Sequence, residues 1–145
     1  MAHYADTSFL VSLYVQDAFS GRAQAWLAKN PVALALTEFG RTELRNALAR
    51  LAFTGAITVP QHAAAWQMVE ADLSQSRLLA ISPSWPLVFA EAELLVANHT
   101  AQLGTRTLDV LHVAIARNLG AIDFISFDSR QAAFARAAGL IWQLP

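Results

Sequence analysis

The sequence predicts an α/β protein built around a parallel sheet. Short apolar runs alternate along the chain with longer stretches of helical period, which is the pattern of strands connected by helices. The 145 residues contain no fixed-period repeat and no linker-like run of Pro, Gly or Ser, so we expect one domain that spans residues 1–145. Hydrophobic residues make up 55% of the chain and charged residues 14%, a composition that excludes a disordered protein.

The predicted strands are short apolar runs that end at polar or turn-forming residues. They cover residues 3–5, 32–36, 78–81 and 124–127, with an edge strand at 141–142. The first strand ends at Asp6, which precedes Thr7 and Ser8, and the strand at 124–127 ends at Asp128. These polar residues suit the N-cap position of the helix that follows each strand.

The predicted helices follow from apolar spacing and from capping residues. They cover residues 9–14, 21–28, 38–53, a stretch that starts at Pro60, and residues 87–103, 108–119 and 129–138. Thr37 and Thr107 are the predicted N-caps of the third and sixth helices. Gly55 ends the third helix, so the third and fourth helices form a hairpin.

Charge and cysteine content exclude several classes of protein. The formal net charge is -1, which predicts no general attraction to nucleic acid or to a membrane surface. The absence of cysteine excludes thiolate zinc sites and cysteine nucleophiles, and it fits a reducing compartment such as the cytoplasm. The longest uncharged stretch, residues 51–69, contains Gly55 and Pro60 and therefore predicts a turn between helices, not a membrane span. The N-terminal residues lack the basic-then-apolar order of a signal peptide.

Four carboxylates fall where a parallel sheet collects its functional groups. Asp6 and Asp128 end predicted strands, while Glu43 and Asp109 lie in the first turns of helices that start at the same edge of the sheet. Carboxylates gathered without cations repel one another, and a hard divalent cation such as Mg²⁺ or Mn²⁺ is the usual reason for such a cluster. Because Mg²⁺ sites combine one or two carboxylates with water and a substrate phosphate, the predicted chemistry is phosphodiester hydrolysis.

Each of these residues also has a structural interpretation. Asp6 and Asp128 are good helix N-caps, and Asp109 near a helix N-terminus complements the helix dipole. Glu43 is placed to pair with Arg45 or Arg50 on the same helix.

Histidine and arginine residues near the predicted edge have two interpretations as well. His112 lies one helical turn after Asp109, and we expect a packed histidine that supports the site rather than a metal ligand, since Mg²⁺ prefers oxygen. Four arginines are candidates for contacts with RNA phosphates, and the alternative is solvated surface charge: Arg41, Arg45, Arg106 and Arg130.

Four segments in series resemble one known family. They are "YADTSFLVSLYV" at 4–15, "TELRNALARL" at 42–51, "RTLDVLHVAIA" at 106–116 and "FISFDSRQAAFARAAGL" at 124–140. In order and spacing they resemble the PIN-domain ribonucleases, in particular the VapC-type toxins of bacterial toxin–antitoxin pairs. The resemblance implies a three-layer α/β/α sandwich with a central parallel sheet of four to five strands. It also implies an Mg²⁺- or Mn²⁺-dependent endoribonuclease that acts on structured or single-stranded RNA.

The resemblance also assigns residues and partners. It makes Asp6, Glu43, Asp109 and Asp128 the family's acidic quartet, and it places hydroxyl groups near the metal together with a non-catalytic histidine: Thr7, Ser8, Ser126 and His112. It implies a homodimer neutralised by a small antitoxin whose C-terminal segment covers the active-site groove. The helical hairpin around Gly55 corresponds to the region that members use for these contacts. The chain departs from many relatives at Asp17, where they carry Glu.

Two other classes of function remain open from the sequence. The first is a non-catalytic binding module that keeps the fold and the partner groove without turning over RNA, and failure to bind Mn²⁺ would favour it. The second is a phosphoacceptor receiver domain, which needs an acidic pair after the first strand and a lysine near the end. Only Asp6 stands at the first place, and the single lysine, Lys29, cannot fill the second.

Overall fold

A parallel five-stranded sheet with helical connections forms the fold in the computed structural model, which describes residues 2–145. The strands are β1 (His3–Ala5), β2 (Leu34–Leu36), β3 (Leu78–Ala80), β4 (Asp123–Ile125) and β5 (Trp142–Gln143). Their order in the sheet is β3-β2-β1-β4-β5. The predicted α/β fold class with a central parallel sheet is confirmed, and the sheet has the larger of the two expected strand numbers.

The helices lie close to the predicted ranges. They are α1 (Thr7–Tyr14), α2 (Ser20–Lys29), α3 (Glu38–Phe53), α4 (Val59–Ser74), α5 (Trp85–Leu95), α6 (Ala101–Leu103), α7 (Thr107–Asn118) and α8 (Ser129–Ala137). A π-helical segment, Val96–Thr100, joins α5 to α6. In residues 2–145, no helix is both long enough and apolar enough to cross a membrane.

The chain divides into two compact units. The first unit consists of the N-terminal segment that ends at Asp6 together with Ser82–Leu144, and it holds β1, β4 and β5. In this unit Tyr4 pairs with Phe124, and Phe124 also pairs with Trp142, in parallel register. All three residues of β4 are buried, as expected for a strand that is covered on both faces.

The second unit consists of Thr7–Ile81 together with Pro145. Here β2 pairs with β3 in parallel, and α3 packs against α4 as the predicted hairpin. The core of this unit contains fully buried side chains from α1, α3 and α4: Phe9, Leu44, Leu48 and Val69.

Local chemistry explains the ends of the hairpin helices. The Thr37 hydroxyl accepts from Gly40 N at 3.1 Å, which confirms the predicted N-cap of α3. Between α3 and α4, Gly55 adopts φ 76°, a left-handed conformation that glycine takes without steric cost. Thr58 and Gln61 then form a reciprocal capping box at the start of α4.

Three sequence predictions about local structure are wrong. Thr107 is the first residue of α7 and not its cap, since Arg106 holds the N-cap position with extended backbone. The strand predicted to end at Asp128 ends at Ile125, because the Ser126 hydroxyl accepts from Asp128 N and turns the chain. The second strand, predicted over residues 32–36, begins two residues later, at Leu34.

The helix predicted over residues 87–103 is interrupted by the π-helical segment. A π-helical turn keeps the helix continuous, and no proline or glycine within Val96–Thr100 marks it in the sequence.

Candidate active site

Asp6 and Ser126 face each other where β1 and β4 end. The register that pairs Ala5 with Ile125 brings the next residue of each strand to the carboxyl edge of the sheet. Asp6 N donates to Ile125 O at 3.1 Å, and Ser126 Oγ donates to Asp6 Oδ2 at 2.6 Å. Both residues are buried, so the Ser126 hydroxyl supplies the Asp6 carboxylate with a donor inside the protein.

The same Ser126 hydroxyl contacts the backbone of Asp128. Its oxygen accepts from Asp128 N at 3.0 Å. Asp128 in turn caps α8, because its Oδ1 accepts from Arg130 N at 2.9 Å and from Gln131 N at 3.4 Å. The N-cap interpretation of Asp128 is therefore confirmed, and this role fixes where its carboxylate lies.

Asp109 lies in the first turn of α7 and pairs with Arg106. Arg106 Nε donates to Asp109 Oδ2 at 2.9 Å. The hydrogen bond to Asp109 and the charge of Asp109, followed by the charge of Asp128, raise the pKa of Arg106. Both carboxylates therefore favour the charged form of the guanidinium, although Arg106 itself is exposed to solvent.

A small cleft of about 40 Å³ brings these groups together. It is lined by two of the predicted acids, two of the predicted arginines, two neutral polar residues, a glycine and a leucine: Asp109, Asp128, Arg106, Arg130, Thr105, Gln131, Gly104 and Leu103. Two carboxylates and two guanidinium groups around one opening can hold a cation and an anion side by side.

His112 is a buried residue of α7 and is not among the residues that line the cleft. Tyr4 OH and His112 Nδ1 lie 2.8 Å apart in a buried hydrogen bond, and the two rings pack edge to face. Tyr4 also stacks on Phe124. This contact links β1 to the helix that carries Asp109, which agrees with the packed histidine expected from the sequence.

In the second unit, Glu43 lies on α3 and contacts α1. Thr7 Oγ1 donates to Glu43 Oε2 at 3.3 Å. Ser8, predicted to lie near the metal, is exposed, and its carbonyl accepts from Ser12 Oγ at 3.2 Å.

Arg41 and Arg45 project from a different face of α3 than Glu43. Positions 41 and 45 are one turn apart, and position 43 lies about 200° of helix rotation away from position 41. The two guanidinium groups lie over the Trp66 ring, at 5.0 Å for Arg41 and 4.4 Å for Arg45. Arg41 also pairs with Glu70 at 2.5 Å. Both arginines thus pack onto α4, through cation–π contacts and one ion pair.

Carboxylate oxygens are the donors that Mg²⁺ and Mn²⁺ prefer, and Asp109 and Asp128 line the same cleft. Two carboxylates with water and a substrate phosphate complete a typical Mg²⁺ site, so this donor set fits such an ion. Across residues 2–145, no three Asp, Glu or His side chains stand close enough together to form a metal-binding group.

Three contributors to this region were missed in the sequence. Trp142 Nε1 donates to Ser126 O at 3.0 Å and so fixes the backbone of the residue that bonds Asp6. Gln131 and Thr105 line the cleft beside the carboxylates. Their positions relative to Asp128 and Asp109, three and four residues away, are the only sequence signal, and many surface residues share such spacing.

These observations define the class of protein: an α/β protein with a parallel sheet and with acidic residues at the carboxyl edge of that sheet. The PIN domain model matches residues 4–140, and the chain belongs to the PIN domain family. No curated protein sequence matches closely enough to count as a relative.

Solved structures share the fold at low sequence identity. VapC20 of Mycobacterium tuberculosis, described as a toxin that cleaves the sarcin-ricin loop, has a TM-score of 0.70 and 21% identity, with 97% of each chain covered. VapBC2 of Rickettsia felis, bound to a DNA fragment from its promoter, has a TM-score of 0.65 and 20% identity, covering 99% of this chain and 98% of the other. FitAcB of Neisseria gonorrhoeae has a TM-score of 0.61 and 18% identity, covering 96% and 94%. The structural neighbours thus include VapC toxins.

Proposed function

We propose that this chain is a metal-dependent endoribonuclease that acts as the toxin of a toxin–antitoxin pair. The observation that carries the proposal is the cleft in which Asp109 and Asp128 lie beside Arg106 and Arg130, in a chain of the PIN domain family. Carboxylates suit a hard divalent cation and guanidinium groups suit a phosphate, which together are the requirements of phosphodiester hydrolysis.

Following the resemblance to the PIN-domain ribonucleases, Asp6, Glu43, Asp109 and Asp128 are the proposed ligands of Mg²⁺ or Mn²⁺, although within residues 2–145 no three of them form a ready-made group. Asp109 and Asp128 line the cleft, and Asp6 is tied to Asp128 through the Ser126 hydroxyl. Glu43 is included because the resemblance to the PIN-domain ribonucleases makes it the glutamate of the family's acidic quartet. The bound cation would activate water and neutralise charge that develops on the phosphate.

The chain's own residues hold this arrangement and contact the substrate. Ser126 orients Asp6, and the cap of α8 orients Asp128. Arg106 and Arg130 contact RNA phosphates at the cleft, and Arg41 and Arg45 on α3 are two further proposed phosphate contacts. The enzyme acts in the cytoplasm, where RNA is accessible.

A homodimer and a small antitoxin are the proposed protein partners. The antitoxin proposal follows from the resemblance to VapC-type toxins and from the likeness to VapBC2 and FitAcB. On the α3–α4 hairpin, Phe53 is 91% exposed and Val59 is 77% exposed. Large apolar side chains this open to solvent at a hairpin tip are typical of a protein-binding surface.

A non-catalytic binding module is the second candidate. The observation that favours it is that Arg106 holds Asp109 and that Asp128 caps a helix, so both carboxylates have structural partners. Such a module would keep the arginine-lined cleft for RNA and would bind it without cleavage.

The deciding experiment is RNA cleavage with purified protein, total bacterial RNA and Mg²⁺, with and without EDTA. We expect wild-type cleavage that EDTA stops, and losses of at least a hundredfold in Asp6→Asn and Asp109→Asn. Glu93→Gln is the matched control, because it removes one exposed carboxylate of α5 outside the cleft lining and should retain activity. Equal cleavage by wild type and both aspartate variants would refute the proposal, and RNA binding without cleavage would select the binding module.

A further inference from the structure

A cavity of about 500 Å³ lies within the second unit, where β2 and β3 begin. Every residue that lines it belongs to Thr7–Ile81, and none of them is a predicted acid or arginine of the candidate active site. Five large aliphatic side chains contribute to its wall: Leu13, Leu27, Val32, Leu34 and Leu78. The volume is within the range of about 300–1,000 Å³ that small-molecule sites in proteins occupy, so the second unit has room for a ligand of its own.

The polar part of the cavity is a fixed cluster of Tyr14, Asp72 and Arg77, all of which line it. Tyr14 OH donates to Asp72 Oδ2 at 2.8 Å, and Arg77 Nε donates to Asp72 Oδ1 at 2.7 Å. Tyr14 is buried, whereas the side chain of Arg77 is 60% exposed. The cluster therefore extends from the interior of the unit to solvent, and Arg77 is its open end.

The groups that remain unused at this open end are able to donate hydrogen bonds. Both oxygens of Asp72 already accept, and Arg77 contacts them through Nε and Nη2. Within residues 2–145, neither Nη1 of Arg77 nor the hydroxyl of Ser76 has a hydrogen-bond partner. Ser76 and Arg77 are both exposed, so a ligand can reach them. A guanidinium with unused N–H groups selects an anion, and its planar fork fits a carboxylate.

Ser76 keeps a side chain at a backbone position that favours glycine. Its φ is 58°, and the other left-handed residues among 2–145 are all glycines. Ser76 lies just after the end of α4, where glycine is common because it takes this conformation without steric cost. A strained residue that persists in a folded protein points to a function. Since Ser76 lines the cavity, a hydroxyl that contributes to ligand binding explains why serine stands there.

We propose that this cavity binds a medium-chain fatty acid, with its carboxylate held by Arg77 and Ser76 and its alkyl chain against the aliphatic wall. The wall selects an alkyl chain because it contains no aromatic ring besides that of Tyr14. At roughly 30 Å³ for a group of the size of a water molecule, the cavity has room for about sixteen non-hydrogen atoms, which is enough for decanoate. The proposal is independent of the proposed ribonuclease function, since the cavity and the candidate cleft share no lining residue.

Calorimetric titration of the purified protein with decanoate tests the proposal. We expect saturable binding to the wild type, and an affinity at least tenfold lower for decanol, which has the same chain without the charge. Arg77→Gln should weaken decanoate binding at least fivefold, and Leu27→Trp, which places a larger side chain at the wall, should weaken it at least tenfold. Arg50→Gln changes an exposed arginine of α3 outside the lining, so this matched control should keep the wild-type Kd.

Ser76→Gly separates ligand binding from a structural role. The substitution relieves the strained backbone, so the Tm of the variant without ligand should equal or exceed that of the wild type. Its Kd for decanoate should nevertheless rise at least threefold, because the hydroxyl is lost. A lower Tm together with an unchanged Kd would show that Ser76 serves only the fold, and this result would contradict the proposal.

Three further results would overturn the proposal. The first is the absence of saturable decanoate binding by the folded wild type, and the second is an equal Kd for decanoate and decanol. The third is displacement of decanoate by an acidic, leucine-rich peptide that binds more tightly, which would assign the cavity to a protein partner. None of these results concerns RNA cleavage, so the ribonuclease function stands or falls separately.

Discussion

The Ser126 hydroxyl donates to the Asp6 carboxylate at 2.6 Å and accepts from the backbone N–H of Asp128. One side chain therefore connects the Asp6 carboxylate to the backbone of Asp128, 122 positions away in the sequence. The connection depends on the parallel register of β1 with β4, which sets Ala5 opposite Ile125. The Asp6 carboxylate is fixed by this contact inside the protein.

Removal of the Ser126 hydroxyl should destabilise the protein. A hydrogen bond to a charged group contributes about 1.5–3 kcal/mol, so Ser126→Ala should lower the free energy of unfolding by about that amount in urea denaturation at neutral pH. Ser129→Ala, an exposed serine at the start of α8, should change it by less than about 0.5 kcal/mol. Equal, small effects of the two substitutions would show that the Asp6 contact contributes little.

The Arg106–Asp109 ion pair should compete with metal binding. Because Arg106 Nε occupies Asp109 Oδ2, Arg106→Gln should free that oxygen and tighten Mn²⁺ binding about two- to fivefold, a small effect because the ion pair is exposed to solvent. Arg130→Gln removes the other guanidinium of the cleft and controls for the change in net charge. Calorimetric titration measures both, and identical Kd values for the two variants would contradict the competition.

The stability of the second unit should depend on pH in the alkaline range. Burial, then the hydrogen bond to Asp72 and its charge, raise the pKa of Tyr14 above its usual value, while Arg77 opposes this. The folded protein therefore favours the neutral phenol, and the stabilisation is complete below about pH 10 and declines as the pH rises further. Tyr14→Phe should lower the free energy of unfolding by about 1 kcal/mol at neutral pH. Between about pH 10 and 11.5, the free energy of unfolding of this variant should fall less steeply than that of the wild type.

Chemical denaturation of wild type and Tyr14→Phe across that pH range measures this difference. Parallel curves for the two proteins would mean that the Tyr14–Asp72 hydrogen bond, 2.8 Å long, does not couple ionisation to folding.

The sequence predicts the elements well because their signals are local. The apolar period and the Thr37 cap define α3 at both ends, and the short apolar run at residues 3–5 becomes β1 as predicted. Local signals fail where a single side-chain contact or backbone conformation decides where an element begins or ends. The strand before Asp128 ends early because of a Ser126 side-chain contact, and α7 begins at Thr107 because Arg106 holds extended backbone.

The candidate site could be predicted only in part for the same reason. Carboxylates at strand ends can be found in the sequence, because parallel sheets in general collect their functional groups at the carboxyl ends of the strands. The position of Arg45 over Trp66 depends on side-chain geometry that no spacing rule contains, whereas the pairing of Arg106 with Asp109 has the i,i+3 spacing of helix ion pairs and was missed. Unpaired donors such as Gln131 Nε2 are defined by what surrounds them, and the sequence holds no record of that.

Mn²⁺ binding to the wild type and to Asp109→Asn tests the central claim most directly. Calorimetric titration, without RNA, should show saturable binding by the wild type and by the Glu93→Gln control, and a loss of at least tenfold in affinity in Asp109→Asn. The same affinity for Mn²⁺ in Asp109→Asn as in the wild type would contradict the account.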